Sequence, residues 1–304
     1  MKEFDLIKVA SKIFAKSRED IIVGVGEGDC AIVDTKNLEK LKLVLTTDSI
    51  KESTDFPPYI RPEEIGHLAL AVNLSDLAAS GAKPLYFLYT ITLVEYDINF
   101  FEKLARGMKK LANKYDVEVV GGDIDSGNEI CISGFAVGVT ERVVTQSGAK
   151  DGDKVFITGL LGKAQLSLDQ LMAGVERSKI AYPESLYTPE PKVNEGIEIV
   201  RYASSMTDIS DSLAVSLNLI SEKSGVRIEI EKDKLPLEHL LPYVDEKKAL
   251  DLFIYSGGDY ELVYTSKTGE YGIEIGKVKK GKGVWLVDGK MKKKIEFKGF
   301  THFS

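Results

Sequence analysis

The segment from Leu68 to Ala79 constrains the fold of this chain more than any other. Its residues are apolar or small nearly throughout, and its one charged residue is Asp76. Such a run predicts a buried helix, which we place at 62–80 because Pro62 fits a first turn and Gly81 fits the position just past a helix end. A carboxylate inside a buried helix is costly without a partner. We therefore expect a cation to face the polar stripe that Asp76 forms on this helix.

Segments with strand-like and helix-like periodicity alternate along the rest of the chain. In the first half, strands are predicted at 21–23, 31–33, 43–47, 85–93, 117–120 and 130–139, and helices at 4–16 and 99–115. A small, polar, turn-forming stretch at 147–153 separates them from a second alternating region. The pattern predicts an α/β (α+β) protein of two lobes, an N-terminal mixed sheet with helices and a C-terminal α/β lobe. The predicted domains are residues 1–147 and 148–304.

The composition is that of a globular protein and excludes a disordered or fibrous chain. Of the 304 residues, 43% are hydrophobic and 29% charged, and the net charge is −7. Net acidity argues against nucleic acid and anionic membranes as partners, and the basic stretch Lys277–Lys294 is typical of a solvated strand edge. Cys30 and Cys131 match no zinc spacing, and no apolar run approaches the ~20 residues of a membrane span. We expect a cytoplasmic protein.

The candidate chemistry lies in aspartates at the ends of strands and at turns. They are Asp29, Asp48, Asp76, Asp123, Asp208 and Asp211. Asp48 follows the hydroxyl pair Thr46-Thr47, and Asp123 follows two glycines that would let the backbone approach a ligand. If these carboxylates converge, their repulsion requires a metal, and oxygen ligands without His or Cys favour Mg²⁺, which in turn suggests phosphate. Taken singly, each aspartate also fits a helix N-cap or a turn, Asp208 and Asp211 especially.

Two glycine-rich stretches are rejected as nucleotide loops. The stretch Gly24–Asp29 precedes a strand-like segment, so it lacks the helix N-terminus that a pyrophosphate would use. The stretch Gly159–Ala164 has two residues between its glycines where a P-loop has four. The histidines His67, His239 and His302 are scattered and predict no metal set.

Taken together, the motifs resemble those of the thiamine-monophosphate kinase family, within the aminoimidazole-ribonucleotide-synthetase-like ATP-binding superfamily. The resemblance runs in order along essentially the whole chain. The matching segments are Gly28–Ala31, Thr46–Asp48, Ala71–Ala82, Gly121–Asp123, Ser147–Asp153, Asp208–Asp211, Ser256–Leu262 and Gly299–Phe303.

This resemblance implies ATP- and Mg²⁺-dependent transfer of a phosphoryl group onto thiamine monophosphate, directly and in line, to give thiamine diphosphate. It implies a homodimer joined through its amino-terminal sheets, with residues 1–147 binding ATP and metal and residues 148–304 completing the active site. Implied metal positions are Asp29, Thr46, Thr47, Asp48, Asp76, Asp123, Asp208 and Asp211, of which Asp76, Asp123 and Asp211 are the catalytic set. Implied nucleotide positions are Gly122, Asp123, Gln146 and Ser210, and implied substrate positions are Asp55, Asp259 and Phe300.

Departures from the family pattern concentrate where substrate would bind. Asp55 stands where the family usually has His, Gln146 where it has Arg, and Ser212 where it has Gly. The turn Gly257-Gly258-Asp259 is one residue shorter than usual, and Glu27 is a displaced acid in the opening loop. Two alternatives therefore stay open: a paralogous ATP-dependent enzyme for another small acceptor, and a nucleotide-binding relative without catalysis.

Overall fold

The computed structural model describes residues 2–23, 25, 32–33, 41–269 and 271–300. Two compact units emerge from its contacts: unit 1 comprises residues 1–77 and 82–141, and unit 2 comprises residues 78–81 and 142–304. Both units combine helices with a sheet, which confirms the predicted α+β class. The functional roles assigned above to 1–147 and 148–304 stay predictions.

Unit 1 contains a four-stranded sheet. Its elements are α1 (Lys2–Ile13), β1 (Ile21–Val23), β2 (Ile32–Val33), β3 (Lys42–Lys51), α2 (Glu52–Asp55), α3 (Pro62–Ala79), β4 (Lys83–Leu93), α4 (Ile98–Lys114), β5 (Glu118–Ser126) and β6 (Cys131–Thr140). The strand order is β3-β6-β4-β5, and β4 and β5 run parallel while the other neighbours are antiparallel. In the described residues β3 and β5 are thus the two edges of this sheet.

Helix α3 is the buried helix that the sequence predicts. Leu70, Leu74 and Leu77 are fully buried, as are most of its other apolar residues. It packs closely on α4 because each helix offers a glycine at the contact. A Cβ on Gly66 would lie 1.9 Å from the Leu104 carbonyl oxygen, and one on Gly107 would lie 1.8 Å from the Glu63 carbonyl oxygen. Only glycine permits this approach.

Unit 2 contains a seven-stranded sheet in the described residues, with order β13-β12-β9-β11-β7-β10-β8. Its elements are β7 (Lys154–Ile157), α5 (Lys163–Met172), α6 (Pro183–Tyr187), α7 (Val193–Ile199), β8 (Ser205–Ile209), α8 (Leu213–Ser224), β9 (Val226–Glu231), α9 (Glu246–Tyr255), β10 (Glu261–Ser266), β11 (Ile273–Lys280), β12 (Gly283–Asp288) and β13 (Met291–Ile295). Strand β10 is antiparallel to both β7 and β8. The ends of β7 and β8 and the start of β10 therefore meet at one edge of the sheet.

The structure adds elements that the sequence reading did not resolve, including α6, α9 and the separate strands β11 to β13. Strand β5 extends to Ser126, well past its predicted end at 120, because it pairs with β4 through the two glycines. The basic stretch Lys277–Lys294 is predicted to be a strand edge, which holds for Lys292 on the edge strand β13. It does not hold for Lys277, because β11 lies between β7 and β9. No described helix is long and apolar enough to cross a membrane.

Candidate active site

A polar cluster lies where α3 crosses β3, and we call Thr46, Asp48, Asn73 and Asp76 the β3–α3 cluster. The Thr46 hydroxyl donates to Asp76 Oδ2 at 2.5 Å. The Asn73 side chain is fully buried, its Oδ1 accepts the Asp48 N–H at 3.0 Å, and its Nδ2 donates to the Ala69 carbonyl at 3.0 Å. Asn73 thus fixes the backbone at Asp48.

Asp76 is the least compensated charge of the β3–α3 cluster. Burial raises the pKa of its carboxyl group, against the smaller opposing effect of the Thr46 hydrogen bond. Among the residues that the structure describes, no cationic side chain forms an ion pair with it. A partly buried carboxylate with one hydroxyl donor fits a position beside a metal ion better than a purely structural one.

Thr47 and Asp123 belong to the other face of the same sheet. The Thr47 hydroxyl donates to the Gly134 carbonyl at 2.8 Å. The strand registers align Ser49, Ser133, Thr90 and Asp123 in one row across that face. Because β6 and β4 separate β3 from β5, Asp123 lies about 14 Å from β3 at the usual strand spacing. Within one copy of the chain, the structure does not bring Asp123 to Asp76.

The described residues hold no ready-made protein cage for a metal. Nowhere in residues 41–269 and 271–300, or in the described part before them, do three His, Cys, Asp or Glu side chains come close enough to hold an ion. Asp29 and Glu27 lie outside the described residues. This arrangement still fits Mg²⁺, which is commonly bound by one or two carboxylates, with waters and substrate phosphates completing its octahedron.

In unit 2, the segment Asp208–Asp211 joins β8 to α8. The N-cap of α8 is Ser212, whose hydroxyl accepts the Val215 N–H at 3.0 Å. The capping role that Asp208 and Asp211 could have filled therefore belongs to Ser212, which also explains the departure from glycine there. The Phe300 N–H donates to the Asp211 carbonyl at 3.3 Å. The half-exposed Phe300 ring is thus placed beside this segment.

A second polar cluster occupies the same sheet edge, and we call Thr158, Lys163, Lys192, Asp259 and Glu261 the β7–β10 cluster. Glu261 pairs with Ile209 across β10 and β8. The Thr158 hydroxyl donates to Glu261 Oε2 at 2.7 Å, and the Lys192 and Lys163 ammonium groups lie 3.3 and 4.0 Å from Oε1. Three protein groups therefore compensate the buried Glu261 carboxylate.

Asp259 is also buried and held by protein donors. Its two oxygens accept the N–H groups of Gly162 at 2.6 Å and Ala164 at 3.0 Å, at the start of α5. Burial raises its pKa to about 6, although these two hydrogen bonds act in the opposite direction. This geometry gives Asp259 a helix-positioning role, and its predicted contact with substrate stays a prediction.

The other predicted substrate and nucleotide positions also have local partners. Asp55 Oδ2 accepts the Lys51 N–H at 2.9 Å and the Thr54 hydroxyl at 2.7 Å. Gln146 donates through Nε2 to the Thr207 hydroxyl at 3.1 Å and accepts from the Lys223 ammonium group. Lys223 therefore brings a positive charge to the position where the family has Arg. Sequence reasoning missed Lys223 and Lys192, since neither lies in a recognisable motif.

Comparison with known proteins identifies first a domain class and then a family. Residues 27–140 match the family model of the AIR synthase related protein, N-terminal domain. A thiamine-monophosphate kinase of Archaeoglobus fulgidus is 50% identical over 304 residues, which is 100% of this chain and 98% of that protein.

Two solved structures agree with this assignment. The thiamine-monophosphate kinase of Stenotrophomonas maltophilia K279a superposes with a TM-score of 0.84 at 28% identity, covering 94% of this chain and 96% of the other. AaThiL complexed with AMPPCP and TMP superposes with a TM-score of 0.80 at 33% identity, covering 99% and 97%. The chain belongs to the thiamine-monophosphate kinase family. The family and the enzyme class predicted from the sequence are confirmed.

Proposed function

We propose that this chain transfers the γ-phosphoryl group of ATP, with Mg²⁺, onto the phosphate of thiamine monophosphate and so forms thiamine diphosphate. Full-length identity of 50% to a thiamine-monophosphate kinase supports the reaction. The observation that carries the site assignment is Asp76, a partly buried carboxylate whose one described partner is the Thr46 hydroxyl. Such a group is stabilised when a divalent cation binds beside it.

The residues that would hold Mg²⁺ are the oxygen donors Thr46, Thr47, Asp48, Asp76, Asp123, Asp208 and Asp211, with Asp29 as a further candidate. When bound, Mg²⁺ neutralises charge on the phosphates, which is the main requirement of transfer between two anionic groups. The chain itself supplies orientation. Asn73 fixes the Asp48 backbone, and Ser212 fixes the start of α8 beside Asp211. No protein nucleophile is needed for direct transfer.

We assign the nucleotide to Gly122, Asp123, Ser210 and the Gln146–Lys223 pair, and the thiamine ring to Phe300. A cation can bind the face of an aromatic ring, and the Phe300 ring is accessible at 49% exposure. Lys223 is held by a neutral amide oxygen, so its charge is available to a phosphate.

The working form that we propose is a cytoplasmic homodimer joined through the unit 1 sheets. The open sheet face carries exposed apolar side chains, among them Leu43, Leu45 and Phe135. Edge strands β3 and β5 can each pair with the other edge of a second copy, as two-fold symmetry requires. Such pairing would place Asp123 of one copy beside Thr47 and Asp48 of the other, which resolves their separation within one chain.

The reaction is tested by incubating purified protein with γ-labelled ATP, Mg²⁺ and thiamine monophosphate, and measuring labelled thiamine diphosphate. We expect product with Mg²⁺ and none with excess chelator. Binding of ATP without product, with thiamine monophosphate and with a panel of other phosphorylated acceptors, would instead support a non-catalytic relative. Product formed only with another acceptor would support a paralogous enzyme.

A further inference from the structure

The loop of residues 158–162 connects β7 to α5 and brings Lys163, the first residue of α5, to the edge of the unit 2 sheet. There the Lys163 ammonium group approaches Glu261, which is paired with Ile209 beside the Asp208–Asp211 segment. The backbone of this loop is held from two sides by side chains that the proposed mechanism does not otherwise use. Asp259 accepts the N–H groups of Gly162 and Ala164, where the loop meets α5. His239 contacts the Leu161 carbonyl.

Both ring nitrogens of His239 face carbonyl oxygens. Nδ1 lies 2.9 Å from the Pro236 oxygen, and Nε2 lies 2.9 Å from the Leu161 oxygen. A carbonyl oxygen only accepts hydrogen bonds, and a neutral imidazole carries a single N–H. Both hydrogen bonds therefore form only when the ring is an imidazolium. In the neutral ring, one nitrogen lone pair faces a carbonyl oxygen at hydrogen-bond distance.

Burial gives the His239 ring a lowered pKa, although its two carbonyl contacts act in the opposite direction. Lys163 also lowers this pKa, and Glu238 raises it. Tyr182 packs edge-on against the ring at a centroid distance of 6.2 Å, and its hydroxyl donates to the His239 carbonyl rather than to the ring. Tyr182 therefore offers a control position that supports the same residue without contacting its nitrogens.

Asp259 holds the same loop with the opposite response to pH. Its carboxylate accepts two N–H groups, with Lys163 and Glu261 as the charged groups that act on it. As pH falls through about 6, the carboxyl group becomes neutral and loses acceptor capacity. Falling pH also protonates the imidazole, which then gains the second donor that it needs.

We propose that His239 is a positioning residue for phosphoryl transfer: as an imidazolium it ties the Leu161 and Pro236 carbonyls together and fastens the loop that presents Lys163 to anionic substrate, taking over from Asp259 in mildly acidic solution. The catalytic consequence rests on the proposed kinase function. The effect of His239 on the position of the loop rests on the paired carbonyl contacts alone.

The test compares His239→Gln, Asp259→Asn and the control Tyr182→Phe with the wild-type chain from pH 5 to pH 8.5. The readout is kcat/KM for diphosphate formation, divided by the wild-type value at each pH, so that ionisation of the substrates cancels. For His239→Gln we expect a ratio near one at pH 8 and a fall of about tenfold at pH 5, the scale of one charge-assisted hydrogen bond. For Asp259→Asn the loss should instead grow with rising pH. The Tyr182→Phe ratio should not change with pH.

A second readout separates this inference from the kinase assignment. Amide hydrogen exchange of residues 159–164, corrected for intrinsic rates, should be faster in His239→Gln than in wild type at pH 5 and unchanged at pH 8. That result supports the positioning role even if no diphosphate is formed. An exchange ratio and a kcat/KM ratio that are both flat with pH, or that match those of Tyr182→Phe, would overturn the proposal even in an active kinase.

Discussion

The two polar clusters of this protein both contain acidic residues, but they differ in how far protein groups compensate the carboxylate charges. In the β7–β10 cluster, Glu261 is held by a hydroxyl and two ammonium groups, and Asp259 by two backbone N–H groups. In the β3–α3 cluster, Asp76 has one described hydroxyl donor, and burial raises its pKa. A charge that the protein satisfies itself is structural, whereas one that it leaves uncompensated indicates a partner from outside the chain.

The largest effect is expected from Asp76→Asn, which should lower diphosphate formation by on the order of 10²–10³-fold, the scale of losing one electrostatic contact at the reacting phosphates. The protein should stay folded because the amide occupies the same volume. The measurement is kcat under saturating ATP and Mg²⁺, with circular dichroism to confirm folding. Asp125→Asn is the matched control, since Asp125 is an exposed aspartate on β5 with no assigned role. Equal activity of both variants would remove Asp76 from the mechanism.

A mixture of two inactive variants tests whether the two subunits share the site in unit 1. If Asp123 of one subunit serves the β3–α3 cluster of its partner, a mixed dimer of Asp76→Asn and Asp123→Asn subunits contains one intact site. Random exchange of equal amounts should then restore about a quarter of wild-type activity, since half of the dimers are mixed and each has one of two sites intact. The measurement is activity after unfolding and refolding the variants together. No recovery, with mixed dimers seen by native mass spectrometry, would place each site within one chain.

In the β7–β10 cluster, Glu261→Gln should lower the free energy of unfolding and not only the rate of the reaction. Removing the carboxylate leaves two mostly buried ammonium groups without their counter-charge, at a cost of about 3 kcal/mol. Denaturant unfolding measures this loss. The control Glu246→Gln removes an exposed partner of Lys232 and should change the free energy of unfolding by less than about 0.5 kcal/mol. A similarly small loss for Glu261→Gln would show that the cluster is not structural.

The smallest effect on stability is expected from Lys277→Gln in the unit 2 sheet. Hydrogen bonds from Lys277 and Lys234 lower the pKa of Glu231, against the effect of burial. A depressed carboxyl pKa contributes stability that is present above the unfolded value of about 4.5 and is lost as pH falls through the folded value. Lys277→Gln should therefore cost about 0.5 kcal/mol at pH 7 and less at pH 3. An equal loss at both pH values would contradict the ion-pair account.

The sequence predicts the elements of this fold well where periodicity is strong. The buried helix α3 begins at the predicted Pro62, and α4 and β6 agree with prediction to within one residue at each end. Short elements such as α6 were missed, and the lysine-rich β13 was predicted only as a strand edge without bounds, because the burial of these elements depends on neighbours distant in sequence. The family motifs predicted the family and the reaction class, which the comparisons confirm.

Details of the candidate site were harder to predict. Composition and spacing could not show that Asp123 and Asp76 lie on different faces of the sheet, because the strand registers decide this. Nor could they show that Ser212, rather than Asp208 or Asp211, caps α8. The glycine-rich motif predicts that Asp259 contacts substrate, whereas in the structure its oxygens accept hydrogen bonds from the start of α5.

Thermal unfolding with and without metal shows whether a divalent cation compensates the charge of Asp76. Wild-type protein and Asp76→Asn are unfolded in chelator and again in Mg²⁺ with the ATP analogue AMPPCP. In chelator the variant should be the more stable, since it lacks the buried charge. In Mg²⁺ and AMPPCP the order should reverse, because ligand binding stabilises the wild-type fold by mass action. The same order in both conditions would contradict the account.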